Sequence, residues 1–281
     1  MGLTTSLRLI ESRIDWISCS ASDAKRAEQL ATIADAGIGR EISAGDRRSY
    51  FGGHGYEGSQ AGHWKLAEGE KGTIVQVGGV EAAQWATSLL PIAEHVSRID
   101  YCATLRSDLN DFNPVRTIYR ELERRKAAGE DAPKAKHIEQ LDEGQGVMVG
   151  SRSSAYVIRC YNKTAESGGL YPPGTWRWEV EMKRHASEGE HARIAHKPAR
   201  LGQAADIVKA AYGRWQLVTP WDAETPIELT RAPAHIRDTE RALEWLRRQV
   251  APCVDWLVAN GYDQEVRAAL NLPTEVWQKV G

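Results

Sequence analysis

Three segments of this sequence alternate apolar and polar residues, and that alternation constrains the fold more than any other feature. The segments span residues 98–105, 156–163 and 176–183. Side chains along a β-strand point alternately to opposite faces of a sheet. If the three strands share one sheet, helices cover its apolar face and charged residues with one tyrosine occupy the other. The pattern predicts an α+β fold: an antiparallel sheet with helices on one face.

A short internal repeat indicates how this sheet could be organised. Residues 12–16 read Ser-Arg-Ile-Asp-Trp and residues 97–101 read Ser-Arg-Ile-Asp-Tyr, so four of five positions are identical. Each copy opens a predicted strand that is followed by a helix. A duplicated half would explain the match, but a five-residue match also arises by chance. On the duplication hypothesis, Asp15 is the structural counterpart of Asp100 and does not form a second active centre.

The predicted elements divide the chain into three regions. Residues 1–92 form an α+β half, residues 93–202 form a second half that contains the tyrosine, and residues 203–281 are helical. The first half contains a strand at 13–20 and a Gly-, Ser- and His-rich stretch at 43–63, which predicts loop or short irregular strands. Alternation assigns the residues of strand 13–20 to two opposite faces: Ile14, Trp16 and Ser18 against Asp15, Ile17 and Cys19. The main predicted helices after the first half lie at 114–127, 204–212, 238–250 and 252–259.

Composition narrows the class of protein without identifying a function. The chain has 281 residues and a net charge of −2, so it lacks the basic surplus typical of nucleic-acid-binding proteins. Positive charge can still be concentrated on one face, so composition does not exclude DNA binding. The four cysteines lie far apart without metal-ligand spacing, which predicts reduced thiols in the cytoplasm. We find no signal peptide and no apolar run of membrane-spanning length, so no membrane partner is predicted.

The predicted polar face of the sheet concentrates charge beside a tyrosine. Its residues are Asp100, Arg159, Tyr161, Lys163, Arg177, Glu179, Glu181 and Lys183. A solvated face with cross-strand ion pairs would have a similar composition. Carboxylates that converge on one point, however, repel each other unless a cation lies between them. The pattern therefore favours a divalent metal site, for Mg²⁺ or Mn²⁺, that polarises a phosphate.

Tyr161 is the candidate nucleophile on this face. A phenol with an ordinary pKa of about 10 is a poor nucleophile, but nearby cations and a metal ion favour the phenolate. Attack on a phosphodiester would form a phosphotyrosine and release a DNA 3′-hydroxyl. Because one phosphoester replaces another, the step would be reversible and would need no ATP.

Two segments of the second half resemble a known family. Gly-Ser-Arg-Ser-Ser at 150–154 and Ile-Arg-Cys-Tyr-Asn-Lys at 158–163 resemble the active-site segment of the Rep-trans replication initiation factors. These are rolling-circle initiators of plasmids, phages and integrative elements, and they include a class of conjugative relaxase. The resemblance covers most of the chain and implies that Tyr161 is the nicking nucleophile. It also implies metal ligands at Asp100 and Glu179, with Glu181 as a third candidate.

These observations together predict a metal-dependent enzyme that nicks and rejoins DNA at a replication origin through a 5′-phosphotyrosine. The expected DNA partner is partly single-stranded at the nick site. Four cations are predicted to bind phosphate: Arg159, Lys163, Arg177 and Lys183. The resemblance further implies a homodimer, origin recognition through C-terminal elements and recruitment of a host helicase. Two alternatives stay open. One is a relaxase of the same fold that nicks a transfer origin, and the other is a DNA-binding regulator without catalysis.

Overall fold

The antiparallel sheet predicted from the alternation is present and larger than the three segments alone required. The computed structural model describes residues 7–38, 47–50, 53–60, 62–69, 72–109, 111–140, 144–151, 153–229, 247, 250–262 and 264–266. Within these ranges ten strands form one sheet, in the order β2-β3-β4-β5-β1-β6-β10-β9-β8-β7. The strands are β1 (Leu7–Ala21), β2 (Arg47–Tyr50), β3 (Gly53–Gln60), β4 (Gly62–Gly69), β5 (Gly72–Gly78), β6 (His95–Ser107), β7 (Ala135–Gln140), β8 (Gly144–Val149), β9 (Tyr156–Asn162) and β10 (Thr175–Lys183).

Helices connect and cover these strands. In the described ranges they are α1 (Ala24–Ile38), α2 (Val80–Leu89), α3 (Pro114–Ala127), α4 (Lys163–Glu166), α5 (His185–His196), α6 (Ala204–Arg214) and α7 (Ala251–Ala259), with a 3₁₀ helix at Pro198–Gly202. Local chemistry explains the start of α3. The Asn113 side chain accepts a hydrogen bond from the Arg116 backbone N–H, and Pro114 occupies the first turn, where a missing N–H costs nothing.

The sheet repeats one arrangement twice about its centre. β1 and β6 are neighbouring antiparallel strands in the middle of the sheet. From β1 outward the order is β5, β4, β3, β2, and from β6 outward it is β10, β9, β8, β7. Each half therefore runs strand, helix, four strands and helix along the chain, apart from the one-turn helix α4. This repeated order is what an internal duplication would produce.

One face of the sheet forms the hydrophobic core. Ile14, Ile99, Ile158 and Trp178 are almost fully buried there, and residues of the helices pack against them in one continuous cluster. The α+β fold with an antiparallel sheet is confirmed. Burial of this apolar face is the main stabilising contribution, and it leaves the opposite face free to hold polar groups.

Several predictions of elements need correction. In β1 the buried residues Ile14, Ile17 and Cys19 share the core, although strict alternation separates Ile14 from the other two. The stretch 43–63, predicted to be loop or short irregular strands, contains the sheet strands β2 and β3 and the start of β4. The predicted helix at 238–250 lies outside the described residues, except for residues 247 and 250.

Residues 1–231 form one compact unit and residues 232–281 form a second. The first unit contains both halves of the sheet together with the 3₁₀ helix and α6. The second contains α7, in which Pro252 occupies the first turn. None of the helices in the described ranges has both the length and the apolar character that crossing a membrane requires.

Candidate active site

Three neighbouring strands bring the predicted residues to one face of the sheet. β10 lies between β6 and β9. The strand registers give three directly opposed pairs: Arg177 and Tyr161, Glu179 and Arg159, and Glu181 and Asp100. Residues that oppose each other on paired strands point to the same face. The acids, the tyrosine and the cations are therefore neighbours because of register, although they are up to about 80 residues apart in the chain.

Tyr161 and Glu179 are in direct contact. The Tyr161 hydroxyl donates a hydrogen bond to Glu179 Oε1, with 2.5 Å between the two oxygens. Glu179 is only 5% exposed and Asp100 only 3%. All three residues line one cleft with a volume of about 400 Å³. The structure thus places the candidate nucleophile beside a buried carboxylate, with a second carboxylate in the same cavity.

A third carboxylate, Asp15 of β1, lines the same cleft. In the register of β1 with β6, Ile14 lies opposite Tyr101 and Trp16 lies opposite Asp100, so Asp15 is an extra residue between them. Such a β-bulge shifts the alternation by one and re-aims the side chains that follow. Asp15 and Trp16 consequently both line the polar cleft, while Ile14 stays in the core.

The sequence pattern missed Asp15 and Trp16 as site residues. Strict alternation puts them on opposite faces, and only a bulge can bring both to one side. The repeat of Arg-Ile-Asp at 13–15 and 98–100 was the available signal. It predicted a structural counterpart for Asp100 but not that the two aspartates would share a cleft. They do so because β1 and β6 are adjacent at the centre of the sheet.

Arginines contact the buried carboxylates of Asp100 and Glu179. Arg98 donates to both oxygens of Asp100, with 2.8 Å between Nε and Oδ1. An Arg159 nitrogen lies 3.4 Å from Glu179 Oε2. The side chains of both arginines remain about one third exposed, at 30% and 31%. They can therefore compensate buried negative charge and still present positive charge to a ligand in the cleft.

Glu181 has a different environment from Glu179. Its carboxylate contacts Arg159, lies 3.2 Å from Arg98 and lies 2.8 Å from Lys183. It does not line the cleft. Glu181 thus gathers three cations into one group, and this position gives it less access to a cleft ligand than Asp100 or Glu179 has.

Arg177, expected to contact phosphate, is instead a buried structural residue. Only 2% of its surface is exposed. Its guanidinium donates to Thr104 at 2.9 Å, to Glu11 at 2.7 Å, to the Tyr171 hydroxyl at 3.1 Å and to Asp15 at 3.3 Å. These bonds tie β10 to β6 and to the acidic residues of β1. With these partners and 2% exposure, this guanidinium has little surface available to a DNA phosphate.

Lys163 lies at the edge of the site, directly after β9. Its ammonium is 5.8 Å from the centre of the Tyr161 ring and 5.5 Å from the centre of the Tyr171 ring. It also donates to Glu166 Oε2 at 2.5 Å, and Glu166 lines the cleft. A cation within about 6 Å of a ring centre is attracted to the aromatic face, so the positive charge of Lys163 lies next to Tyr161.

Burial determines the protonation of the cleft. Burial raises the pKa of Asp100 to about 6, although Arg98 opposes this shift. Burial, followed by the charge of Asp15, raises the pKa of Glu179. Burial and the neighbouring Glu179 raise the pKa of Tyr161 well above its ordinary value of 10. Tyr161 therefore holds its proton at neutral pH, and the adjacent carboxylate, with its raised pKa, is a better proton acceptor than an exposed glutamate.

The donor set of the cleft suits a hard divalent cation. In the described part of the chain, no cluster of three or more His, Cys, Asp or Glu residues has the arrangement of a metal site. Mg²⁺, however, is commonly held by one or two carboxylates, with water and substrate phosphate completing the shell. Asp100 and Glu179 meet that requirement, and the charge of Glu179 contributes to the raised pKa of Asp100. A cation between them would relieve this repulsion.

Comparisons with known proteins found a family match and a similar solved structure. A family model described as "Replication initiation factor" matches residues 116–268, which include Tyr161 and Glu179. A solved structure described as a rolling circle replication initiator protein from Geobacillus stearothermophilus has 16% sequence identity and a TM-score of 0.45. The match covers 80% of this chain and 93% of that chain. No curated protein sequence matches the chain.

Proposed function

Because this chain belongs to the replication initiation factor family, we propose that it starts rolling-circle replication by nicking and rejoining DNA at an origin. Tyr161 would be the nucleophile, and the product would be a 5′-phosphotyrosine. The observation that carries the proposal is the hydrogen bond from the Tyr161 hydroxyl to the buried carboxylate of Glu179. A hydroxyl that is hydrogen-bonded to an adjacent base can lose its proton as it attacks, which is how a weak nucleophile is activated.

The first chemical step would be proton transfer within this pair. Glu179 Oε1 would accept the phenol proton as the Tyr161 oxygen bonds to phosphorus. The bond between phosphorus and the 3′ oxygen would break, and that oxygen would take a proton from solvent to become a 3′-hydroxyl. In the joining step a 3′-hydroxyl would attack the phosphotyrosine and release its proton to solvent. The bond between phosphorus and the Tyr161 oxygen would break, and that oxygen would take back the proton held by Glu179. The number of phosphoester bonds is unchanged, so no energy source is needed.

The other residues of the cleft would stabilise charge. Arg159 is the best placed cation for a phosphate, because it is partly exposed and lies beside Glu179. Lys163 would stabilise the phenolate, and Lys183 would add positive charge through the group around Glu181. A divalent ion, Mg²⁺ or Mn²⁺, held by Asp100 and Glu179 would supply positive charge to the phosphate oxygens. Glu181, with its three cation partners, would orient the cations rather than bind the ion.

The family also supports proposals about assembly. We expect the chain to act as a homodimer and to recognise its origin through C-terminal elements. We also expect it to recruit a host helicase that unwinds the nicked duplex. These proposals derive from family membership, and each can be tested separately from the chemistry.

The direct test uses a supercoiled plasmid that carries the replication origin of the element encoding this chain. With Mg²⁺ or Mn²⁺, wild-type protein should give open circles with protein attached to the 5′ end. Tyr161→Phe should give neither. Tyr119→Phe is the matched control, because Tyr119 packs on α3 against the core and its loss should leave nicking unchanged. Nicking that persists in Tyr161→Phe would rule out Tyr161 as the nucleophile.

The same assay separates the two alternatives. A relaxase would nick a plasmid that carries a transfer origin and leave a replication origin intact. A regulator would retard origin DNA in a gel but would never nick it with either metal ion. The buried acids beside Tyr161 favour an enzyme over a regulator. Negative charge next to phosphate weakens DNA binding, so a protein that only binds DNA gains nothing from these acids.

A further inference from the structure

Trp16 lines the cleft, but the proposed nicking chemistry gives it no role. It lines the cleft beside Asp15 and Asp100, and it directly opposes Asp100 in the strand register. Its neighbours Ile14 and Ile17 pack in the core, but Trp16 does not belong to that cluster and stays half-buried. A large indole is thus held in a polar cavity, where it gains less from burial than it would in the core.

The surroundings of Trp16 resemble a stacking site. The Arg98 guanidinium lies 5.0 Å from the centre of the indole ring. Among the described residues that line the cleft, Trp16 and Tyr161 are the aromatic ones, and Tyr161 is engaged by Glu179. The far wall, from β7 and β8, contributes apolar side chains at Ile138 and Met148. The cleft volume of about 400 Å³ lies at the lower end of the range of ligand pockets.

We propose that Trp16, with Arg98, is a stacking platform for one unpaired DNA base next to the scissile phosphate. This inference rests on the proposed function and adds a base contact to it: Trp16 and Arg98 would hold one base of the single-stranded or extruded DNA at the nick site. Indole and guanidinium planes both stack on nucleobases, and the neighbouring Arg159 would hold the adjacent phosphate. A paired base is stacked in its duplex and cannot present its face to Trp16.

The geometry also explains why the bulge at Asp15 is useful. Without the extra residue, Trp16 would turn to the core face and Asp15 alone would face the cleft. With it, a carboxylate and a stacking surface lie side by side within the cleft. The base would therefore be held close to the acids, so that binding it also positions the phosphate.

The test compares the binding of two oligonucleotide probes of equal length and charge in the presence of Mg²⁺. The protein carries Tyr161→Phe, a substitution that removes the proposed nucleophile and so prevents cleavage. One probe is a single-stranded dT oligomer and the other is an abasic oligomer with the same sugar-phosphate backbone. The readout is the ratio of their affinities, measured by fluorescence anisotropy. Base stacking on one aromatic residue predicts a ratio on the order of ten in favour of dT. Trp16→Leu should bring that ratio close to one.

Three controls separate stacking from other effects. Trp221→Phe removes a tryptophan that packs against Trp178 in the core and should leave the ratio unchanged. Arg159→Gln should lower the affinity for both probes by the same factor, because it removes a proposed phosphate contact. Trp16→Phe keeps an aromatic ring and should retain most of the preference for dT, and thermal unfolding of each variant checks its fold.

The outcomes are decisive for the proposal. A wild-type ratio near one, or an undiminished ratio in folded Trp16→Leu, would overturn it. The ratio is measured without cleavage, so it does not depend on whether the chain nicks DNA. A ratio of about ten with no nicking in any assay would reject the proposed chemistry and keep the base site. Nicking with a ratio near one would keep the proposed chemistry and reject the base site.

Discussion

The two halves of the sheet share one topology but differ in the residues that could perform chemistry. β1 and β6 both contain Arg-Ile-Asp, and in both the arginine hydrogen-bonds the aspartate two residues later at 2.8 Å. The remaining candidate groups of the second half have no counterpart in the first. β5 contains no acidic residue and β4 contains no tyrosine, whereas β10 contributes Glu179 and β9 contributes Tyr161.

This difference shows how a sheet with a repeated strand order can present one candidate site. Because the paired strands β1 and β6 are at the centre, the shared aspartates meet in one cleft instead of forming two separate sites. The first half then contributes Asp15 and Trp16, and the second contributes Asp100 together with the proposed nucleophile Tyr161 and the proposed base Glu179. Because of the bulge in β1, the indole of Trp16 lines this cleft together with Asp15. The indole is the proposed stacking surface.

The largest predicted effect concerns Glu179 and Glu181, two glutamates of β10 that have no counterpart in the first half. Their substitution should change the nicking rate by very different factors. Glu179→Gln removes the proton acceptor of Tyr161 and should slow nicking about 10³-fold. Glu181→Gln alters only the orientation of its three cations and should slow nicking about tenfold. Single-turnover nicking at saturating protein measures both. Equal losses would contradict the distinction between a base and an orienting residue.

The two aspartates should differ by a smaller factor. Asp100→Asn removes a proposed metal ligand and should cost more than about 100-fold in nicking rate, beyond the usual range for an outer-shell residue. Asp15→Asn keeps the hydrogen-bonding shape and should cost about tenfold. The dependence of the rate on Mg²⁺ concentration checks the roles. If Asp15→Asn shifts the half-saturating Mg²⁺ concentration more than Asp100→Asn does, the first half binds the metal ion more strongly than we propose.

The stability of the metal-free protein should depend on pH through Asp100. Its folded pKa of about 6 is above the ordinary value of 3.8, so the folded state binds the proton more tightly than the unfolded state does. This contribution to stability is fully present below pH 3.8 and is lost as pH rises through 6. The loss is on the order of 3 kcal/mol. Denaturant titrations with chelator should therefore show a smaller decline over this window in Asp100→Asn than in wild type. An equal decline would assign the titration to another group.

The smallest predicted effect concerns the steric space beside Tyr161, the proposed nucleophile. Gly146 of β8 directly opposes Tyr161, and an added Cβ would lie 3.3 Å from Tyr161 Cβ. Gly146→Ala should displace the ring by a few tenths of an ångström and lower the nicking rate about threefold. Gly202→Ala is the control, because no atom lies within 4 Å of its added Cβ. An unchanged rate in Gly146→Ala would mean that Tyr161 tolerates a shift of this size.

Much of the fold could be predicted from local pattern. The segments 98–105, 156–163 and 176–183 lie in β6, β9 and β10, apart from the last residue of the middle segment, and the predicted helix at 114–127 coincides with α3. Alternation and capping are local properties, so they can be detected without knowledge of the rest of the chain. The same alternation put Tyr161, Asp100 and Glu179 on one predicted face. The strands around 43–63 could not be predicted in this way, because Gly-rich segments have little hydrophobic pattern.

The sequence by itself determined which residues could take part, since their types and spacing define a polar face with a tyrosine and acids. Only the tertiary structure decided where each one lies and what it contacts. Register and burial separate Glu179 from Glu181 and remove Arg177 from the surface. The bulge in β1 adds Asp15 and Trp16. These outcomes depend on strand pairing over long separations, and a shift of one residue in pairing moves a side chain from the core to the cleft.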